Sequence, residues 1–170
     1  MTVKLGSYPV GELYADVKEG ALCALLIDTQ FPIEDVRQLN KAEDDVFTAV
    51  KRWFDSYFQG HILLLDGIPL RLEGSAFQRM VWDELKKIPP GLTTTYGAIA
   101  KELQRKTGRR MSAQAVGGAV GKNPVPILLP CHRVIGSGGR LTGYTGGLDR
   151  KILLLEHEGF SVENGRVLQR

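Results

Sequence analysis

The chain has 170 residues, enough for one ordinary domain or a small domain joined to a DNA-binding module, and its 43% apolar content suits a globular fold rather than a disordered tail. No stretch approaches the roughly 20 uninterrupted apolar residues that a membrane span needs, and Met1-Thr2-Val3-Lys4 carries no secretory pattern, so a cytoplasmic protein with access to the nucleoid is expected, with no membrane partner. Net charge is only +3, but residues 1–73 hold 7 Lys/Arg against 12 Asp/Glu (−5) and residues 74–170 hold 15 against 7 (+8); the second half therefore suits a polyanion, a solvated basic face being the alternative.

In chain order, Gly11 to Val17 reads as a strand, Ala21 to Asp28 as a second and Ile62 to Leu65 as a third. Between the last two, Val46, Val50, Phe54 and Phe58 recur at helical spacing over Lys41 to Phe58. Glu43, Asp44 and Asp45 fall in the first turns, where the helix dipole favours anions, and Gly60 follows the end. Gly67, Pro69 and Gly74 coincide with the change of charge and place a domain boundary between residues 73 and 74.

Helices dominate the second half. Ser75 with Gln78 three residues on reads as a capping box, and Phe77, Val81, Leu85 and Ile88 form an apolar stripe that ends at Pro89-Pro90-Gly91; Trp82 reads as packing. Thr95 can cap a helix from Tyr96 to Lys106, and after a polar turn Ser112 can cap another that reaches Gly121. This is a helix-turn-helix pattern, surrounded by Lys101, Arg105, Lys106, Arg109, Arg110 and Lys122, and it is the candidate DNA-binding segment. Gly117-Gly118 inside the second helix costs about 1 kcal/mol per glycine relative to alanine. Either a neighbouring helix or a nucleic-acid strand approaches closely there.

The two cysteines, Cys23 and Cys131, lie far apart and are expected to be reduced. Three prolines stiffen Asn123 to Pro130 and are expected to hold the chain extended up to Cys131. A cysteine beside apolar residues is by default a core filler, but His132 and Arg133 follow at once and can supply a base and a positive potential for the nucleophilic thiolate. In an extended chain adjacent side chains point apart, so the sulfur would reach His132 through a bridging water. Asp149 to Glu158 reads as a helix ending at Gly159, with Glu158 at the end that disfavours anions. Glu158 either orients His132 in a Cys-His-Glu relay or is a solvated helix end, whereas His61 and His157 read as structural or exposed. The glycine-rich loop from Gly136 to Gly147 offers Tyr144 as an aromatic face and lacks the Gly-Lys-Ser/Thr ending of a phosphate loop.

Tyr96, Ala115-Val116-Gly117-Gly118-Ala119, Asn123-Pro124-Val125-Pro126, Pro130-Cys131-His132-Arg133-Val134, Tyr144-Thr145-Gly146-Gly147 and His157-Glu158-Gly159 together resemble the O6-alkylguanine-DNA alkyltransferases. The resemblance spans residues 75 to 160; the first 70 residues match only in their strand-rich layout. It implies an α/β (α+β) protein: residues 1–73 form a small strand-rich supporting domain with a ribonuclease-like layout, and residues 74–170 form a mainly helical domain with a winged helix-turn-helix. It further implies single-turnover transfer of an alkyl group from guanine O6 in double-stranded DNA to Cys131, by a monomer that uses no cofactor and no metal, on a flipped-out base.

Carried over, His132 resembles the water-linked base, Glu158 its orienting carboxylate, Asn123 the brace of their turn and Tyr96 the proton donor to the guanine. The backbone of Cys131 and Val134 would read the guanine edge, Tyr144 would cover the ring, Thr145 would bond O6, and Pro126 and Val120 would wall the alkyl pocket. Ser112, Gln114, Ala115, Gly117 and Gly118, with Tyr96 and Arg133, would meet the DNA. The family usually carries arginine directly before the Ala-Val-Gly-Gly run, to fill the gap left by the flipped base. Gln114 stands there instead; it can bond the orphaned partner base but lacks the charge and full reach of arginine. With Cys23 and His61 as the obvious ligands in the first half, a four-ligand zinc site is not expected. The rival readings are a DNA-binding protein that recognises alkylated guanine or regulates transcription without reacting, and a thiol hydrolase, for which no oxyanion-hole motif is visible.

Overall fold

The computed structural model describes residues 1–29, 32–61, 65 and 67–168. They form two compact units, Met1–Glu73 and Gly74–Arg170. Among the described residues no helix is long and apolar enough to cross a membrane.

In the first unit, β1 (Thr2–Tyr8), β2 (Gly11–Lys18) and β3 (Ala21–Ile27) form an antiparallel meander in that order. β2 and β3 match the sequence expectation, but β1 was not foreseen. Only Val3 and Leu5 alternate inward there, and the pairing with β2 is interrupted by a register shift between Lys4 and Gly6, so its period-2 signal is short. The strand expected over Ile62–Leu65 lies outside the described residues except for Leu65, which sits in a bend. α1 (Lys41–Phe58) has the bounds its apolar spacing predicts; Asn40 and Glu43 complete a capping box at its start. It packs Val46, Val50, Trp53, Phe54 and Tyr57 against the sheet, and Trp53 stacks on Tyr57 at 5.1 Å.

In the second unit, α2 (Ala76–Leu85) starts at the Ser75–Gln78 capping box and buries Val81, Trp82 and Leu85. Ile88 is also buried but lies beyond the helix end, and Phe77 is half-buried. The short strand β4 (Thr94–Thr95) leads into α3 (Tyr96–Thr107), whose first turn Thr95 caps through Ala98 N. α3 ends at Gly108, in the left-handed conformation (φ 68°) that glycine adopts without strain. Ser112 caps α4 (Ala113–Val120) through Ala115 N. The indole Nε1 of Trp82 donates to the Ala119 carbonyl at 3.0 Å, which fixes α4 on α2 and makes Trp82 a packing residue. β5 (Val134–Ile135) pairs in parallel with β4. α5 (Leu148–His157) follows, and the hairpin of β6 (Ser161–Glu163) and β7 (Arg166–Leu168) lays Val167 over Ile135 and Leu155.

Candidate active site at the foot of the helix-turn-helix

The three prolines before Cys131 do not hold the chain extended. Asn123 Oδ1 accepts from Val125 N (3.0 Å) while its amide donates to the Leu129 carbonyl (2.8 Å), and Leu129 N donates to the Val125 carbonyl (3.0 Å). The chain therefore loops back, with Ile127 in the left-handed region (φ 74°), an uncommon and strained place for a β-branched residue. Cys131–Arg133 then form a single 3-10 turn, so Cys131 and His132 are not on opposite faces of a strand as expected. The correction follows from Asn123: one side chain bonded to both limbs of a six-residue loop outweighs the extended preference that proline gives its neighbours.

Behind the thiol lies a buried charged network. His132 Nε2 meets Glu158 Oε1 at 2.7 Å, and their side chains are 0% and 1% exposed. Glu158 is thus buried against His132 and is not a solvated helix end. Arg133 Nε donates to Glu158 Oε2 (2.8 Å), Nη2 to Oε1 (2.7 Å) and Nη1 to the Ile88 carbonyl (2.6 Å). Arg133 is therefore not on a DNA-facing surface: it is 5% exposed, and its fork is already engaged.

Burial would raise the Glu158 carboxyl, but the bonds with His132 and Arg133 hold it far below the usual carboxylate range. Burial lowers His132, outweighing the pull of Glu158, so the imidazole is neutral at neutral pH. Its Nδ1 is buried and, among the described residues, has no hydrogen-bond partner. Cys131 is pushed up by burial and drawn back by hydrogen bonding with Asn123 and Tyr144 and by the charge of Lys151.

In front of the thiol opens a cleft of about 550 Å³ between α3, α4 and the glycine-rich loop. Of the expected site residues, Cys131, Tyr96, Gly117, Val120, Tyr144 and Thr145 line it. Tyr96 is raised by burial and bonds Thr142, while Thr145 Oγ1 donates to the Gly121 carbonyl at 2.7 Å. Pro126 and Val134 do not line this cleft. Val134 N–H donates to the Cys131 carbonyl and the Val134 carbonyl accepts from Lys151, so its backbone is occupied within the protein.

Ser112, Gln114, Ala115 and Gly118 form the exposed face of α4. The two readings of Gly117-Gly118 separate here. A methyl added at Gly117 would meet the Tyr96 ring at 3.7 Å, an ordinary contact, and one added at Gly118 would meet nothing within 4 Å. No neighbouring helix accounts for Gly118. Sequence reasoning missed Lys151, which is wholly buried in α5 with its ammonium bonded to the Val134 and Thr142 carbonyls. The available signal was position: a lysine three and four residues before Leu154 and Leu155 falls on the apolar stripe of its helix.

A helix-turn-helix with a buried thiol at its foot, backed by an imidazole–carboxylate pair and opening into a cleft, defines a helix-turn-helix domain built around a buried cysteine. Residues 76–160 match the family described as "6-O-methylguanine DNA methyltransferase, DNA binding domain". The chain belongs to this family. It is 46% identical over 116 residues to the methylated-DNA–protein-cysteine methyltransferase of Methanosarcina acetivorans, covering 68% of this chain and 71% of that one. It is 48% identical over 104 residues to that of Shigella flexneri, covering 61% of this chain and 58% of the Shigella protein, less than two thirds of its length. The crystal structure of Mycobacterium tuberculosis OGT in complex with DNA superposes with a TM-score of 0.75 at 36% identity, covering 92% of each chain.

Proposed function

We propose that this protein repairs DNA by moving one alkyl group from guanine O6 to Cys131 Sγ, acting as a monomer on double-stranded DNA that carries O6-alkylguanine. The observation that carries this reading is the single buried thiol with the cleft on one side and the His132–Glu158–Arg133 network on the other. All of these groups come from one chain, so a monomer suffices. The DNA-bound Mycobacterium relative and the exposed small-residue face of α4 support duplex DNA as the partner.

The chemistry is displacement at a saturated carbon. His132 Nδ1 takes the thiol proton, directly or through a water, and the thiolate forms the S–C bond as the O6–C bond breaks. The electron pair left on guanine is neutralised by the Tyr96 hydroxyl, which is then reprotonated by way of His132, so the thiol proton ends on the base. A thioether has no leaving group that the site can expel, and each molecule therefore acts once. The target carbon is out of reach within a duplex, so the nucleotide must be flipped into the cleft, at a few kcal/mol. Gln114 on the exposed face of α4 occupies the gap that is left, and Gly118 allows close approach of the strand.

Cys131→Ala tests the assignment. It is expected to abolish loss of the methyl group from an O6-methylguanine duplex while keeping DNA affinity within about twofold. Transfer that persists in the variant would overturn it, and a non-reacting binder would show no transfer even in the wild type.

A further inference from the structure

The hairpin of β6 and β7 follows residues 76–160, the part of the chain that matches the family. Packing fixes its inner side: Val162 and Val167 close on Ile135 and Leu155, and Leu141 from the glycine-rich loop joins them. Side chains alternate along an extended chain, so the neighbours of Leu141 and Val167 turn to solvent. Two of these neighbours are Arg140 in the loop and Arg166 in β7, both exposed and paired directly opposite each other in an antiparallel bridge.

Like charges directly opposite one another work against a sheet. Glu163 faces Arg166 from the other side, across the β6–β7 ladder, yet among the described residues neither guanidinium has a carboxylate within ion-pair distance. The row carries two positive charges against one negative. It also stands at the mouth of the cleft, where Gly136 and Ser137 form part of the lining. The Gly136 N–H donates to the Arg140 carbonyl at 2.7 Å, and the Arg140 Cβ is 3.2 Å from where a Cβ on Gly136 would stand. Nη1 of Arg166 is 3.7 Å from the corresponding position on Gly138. Both arginines therefore border the 136–138 segment at the rim.

We propose that Arg140 and Arg166 form a phosphate clamp at this rim, holding the two backbone phosphates that flank the nucleotide flipped into the cleft. A nucleotide that enters the cleft brings its own phosphates to the rim, and a guanidinium presents a planar fork of donors that matches phosphate oxygens. Bound phosphates replace the repulsion between the arginines with attraction to both. The proposal rests on the reading of repair by base flipping in duplex DNA and adds to α4 a second DNA contact, carried by the C-terminal hairpin.

The test is the salt dependence of binding to a duplex with one O6-methylguanine, in full-length protein carrying Cys131→Ala so that no transfer occurs. Each phosphate contact contributes about 0.9 to the slope of log affinity against log salt. Arg140→Gln and Arg166→Gln should each make the slope shallower by about 0.9, which is about eightfold weaker binding at about 0.1 M salt, converging on the parent near 1 M. The thermal midpoint without DNA should not fall, because each substitution removes a repulsion. Neutral methylphosphonates at the two phosphates flanking the lesion should weaken the parent at least fivefold more than the double variant, whereas the same replacements on the complementary strand should weaken both alike. Slopes that stay at the parent value, or a double variant that loses as much affinity as the parent to the flanking methylphosphonates, would overturn the proposal. Protein with Cys131 intact that takes no methyl from this duplex, while the slopes shift as expected, would sink the proposed function and leave the clamp standing; transfer with unchanged slopes would sink the clamp alone.

Discussion

Replacing Arg133 by Met tests the buried network against the surface role that a basic residue beside the thiol suggests. The substitution removes three bonds, two to Glu158 and one to the Ile88 carbonyl, and keeps the contact of the carboxylate with His132. Removing one partner of a buried ion pair costs about 3–5 kcal/mol, because the other charge remains uncompensated. For a chain of this size that lowers the midpoint of thermal unfolding by roughly 6 to 20 °C. Without the Arg133 charge, which lowers His132, the imidazole pKa rises, so the acid limb of the transfer rate moves to higher pH. Because Glu158 is depressed in the folded state, its contribution to stability is complete above the unfolded carboxylate value and is lost as pH falls through the folded one. In Arg133→Met less of that acid sensitivity remains. Thermal unfolding between pH 3 and 7, with the salt dependence of DNA binding, provides the assay. A phosphate contact would take about 0.9 from the slope of log affinity against log salt, whereas a buried Arg133 leaves the slope unchanged. An unaltered melting temperature with a shallower slope would refute the reasoning.

Gly118→Ala places a methyl group in open space on a helix and should stabilise the protein by about 0.5–1 kcal/mol in denaturant unfolding, while weakening DNA binding in a gel-shift titration. Asn123→Ala leaves the Val125 N–H without its Asn123 partner and the Leu129 carbonyl with the Cys131 N–H in place of two donors, costing about 1–3 kcal/mol; transfer should slow while DNA affinity holds. Gln114→Ala should slow repair in duplex DNA more than dealkylation of the free base in single-turnover assays. Equal slowing would show that Gln114 does not fill the gap left by the flipped base.

Local chemistry made most of the helices legible. The Ser75–Gln78 pair, Thr95 and Ser112 each cap the helix that their spacing predicts, because a cap is satisfied by residues two or three positions away. His132 and Glu158 were recognisable as partners because Glu158 stands at a helix end that disfavours anions. The surroundings of Arg133 and Lys151 were not legible. Each carries a charge that reads as solvent-exposed in sequence and is satisfied by a carboxylate 25 residues away or by carbonyls 17 and 9 residues away. The same limit explains the segment before Cys131: three prolines speak locally for extension, and only the two-limbed grip of Asn123 reveals the loop.

The most direct test is intact mass of the wild-type protein after incubation with excess duplex containing one O6-methylguanine, followed by peptide mapping. The account predicts one added methyl group per molecule, all of it on Cys131, with no further uptake on a second addition of DNA. An unmodified protein, or a methyl group found on any other residue, would contradict it.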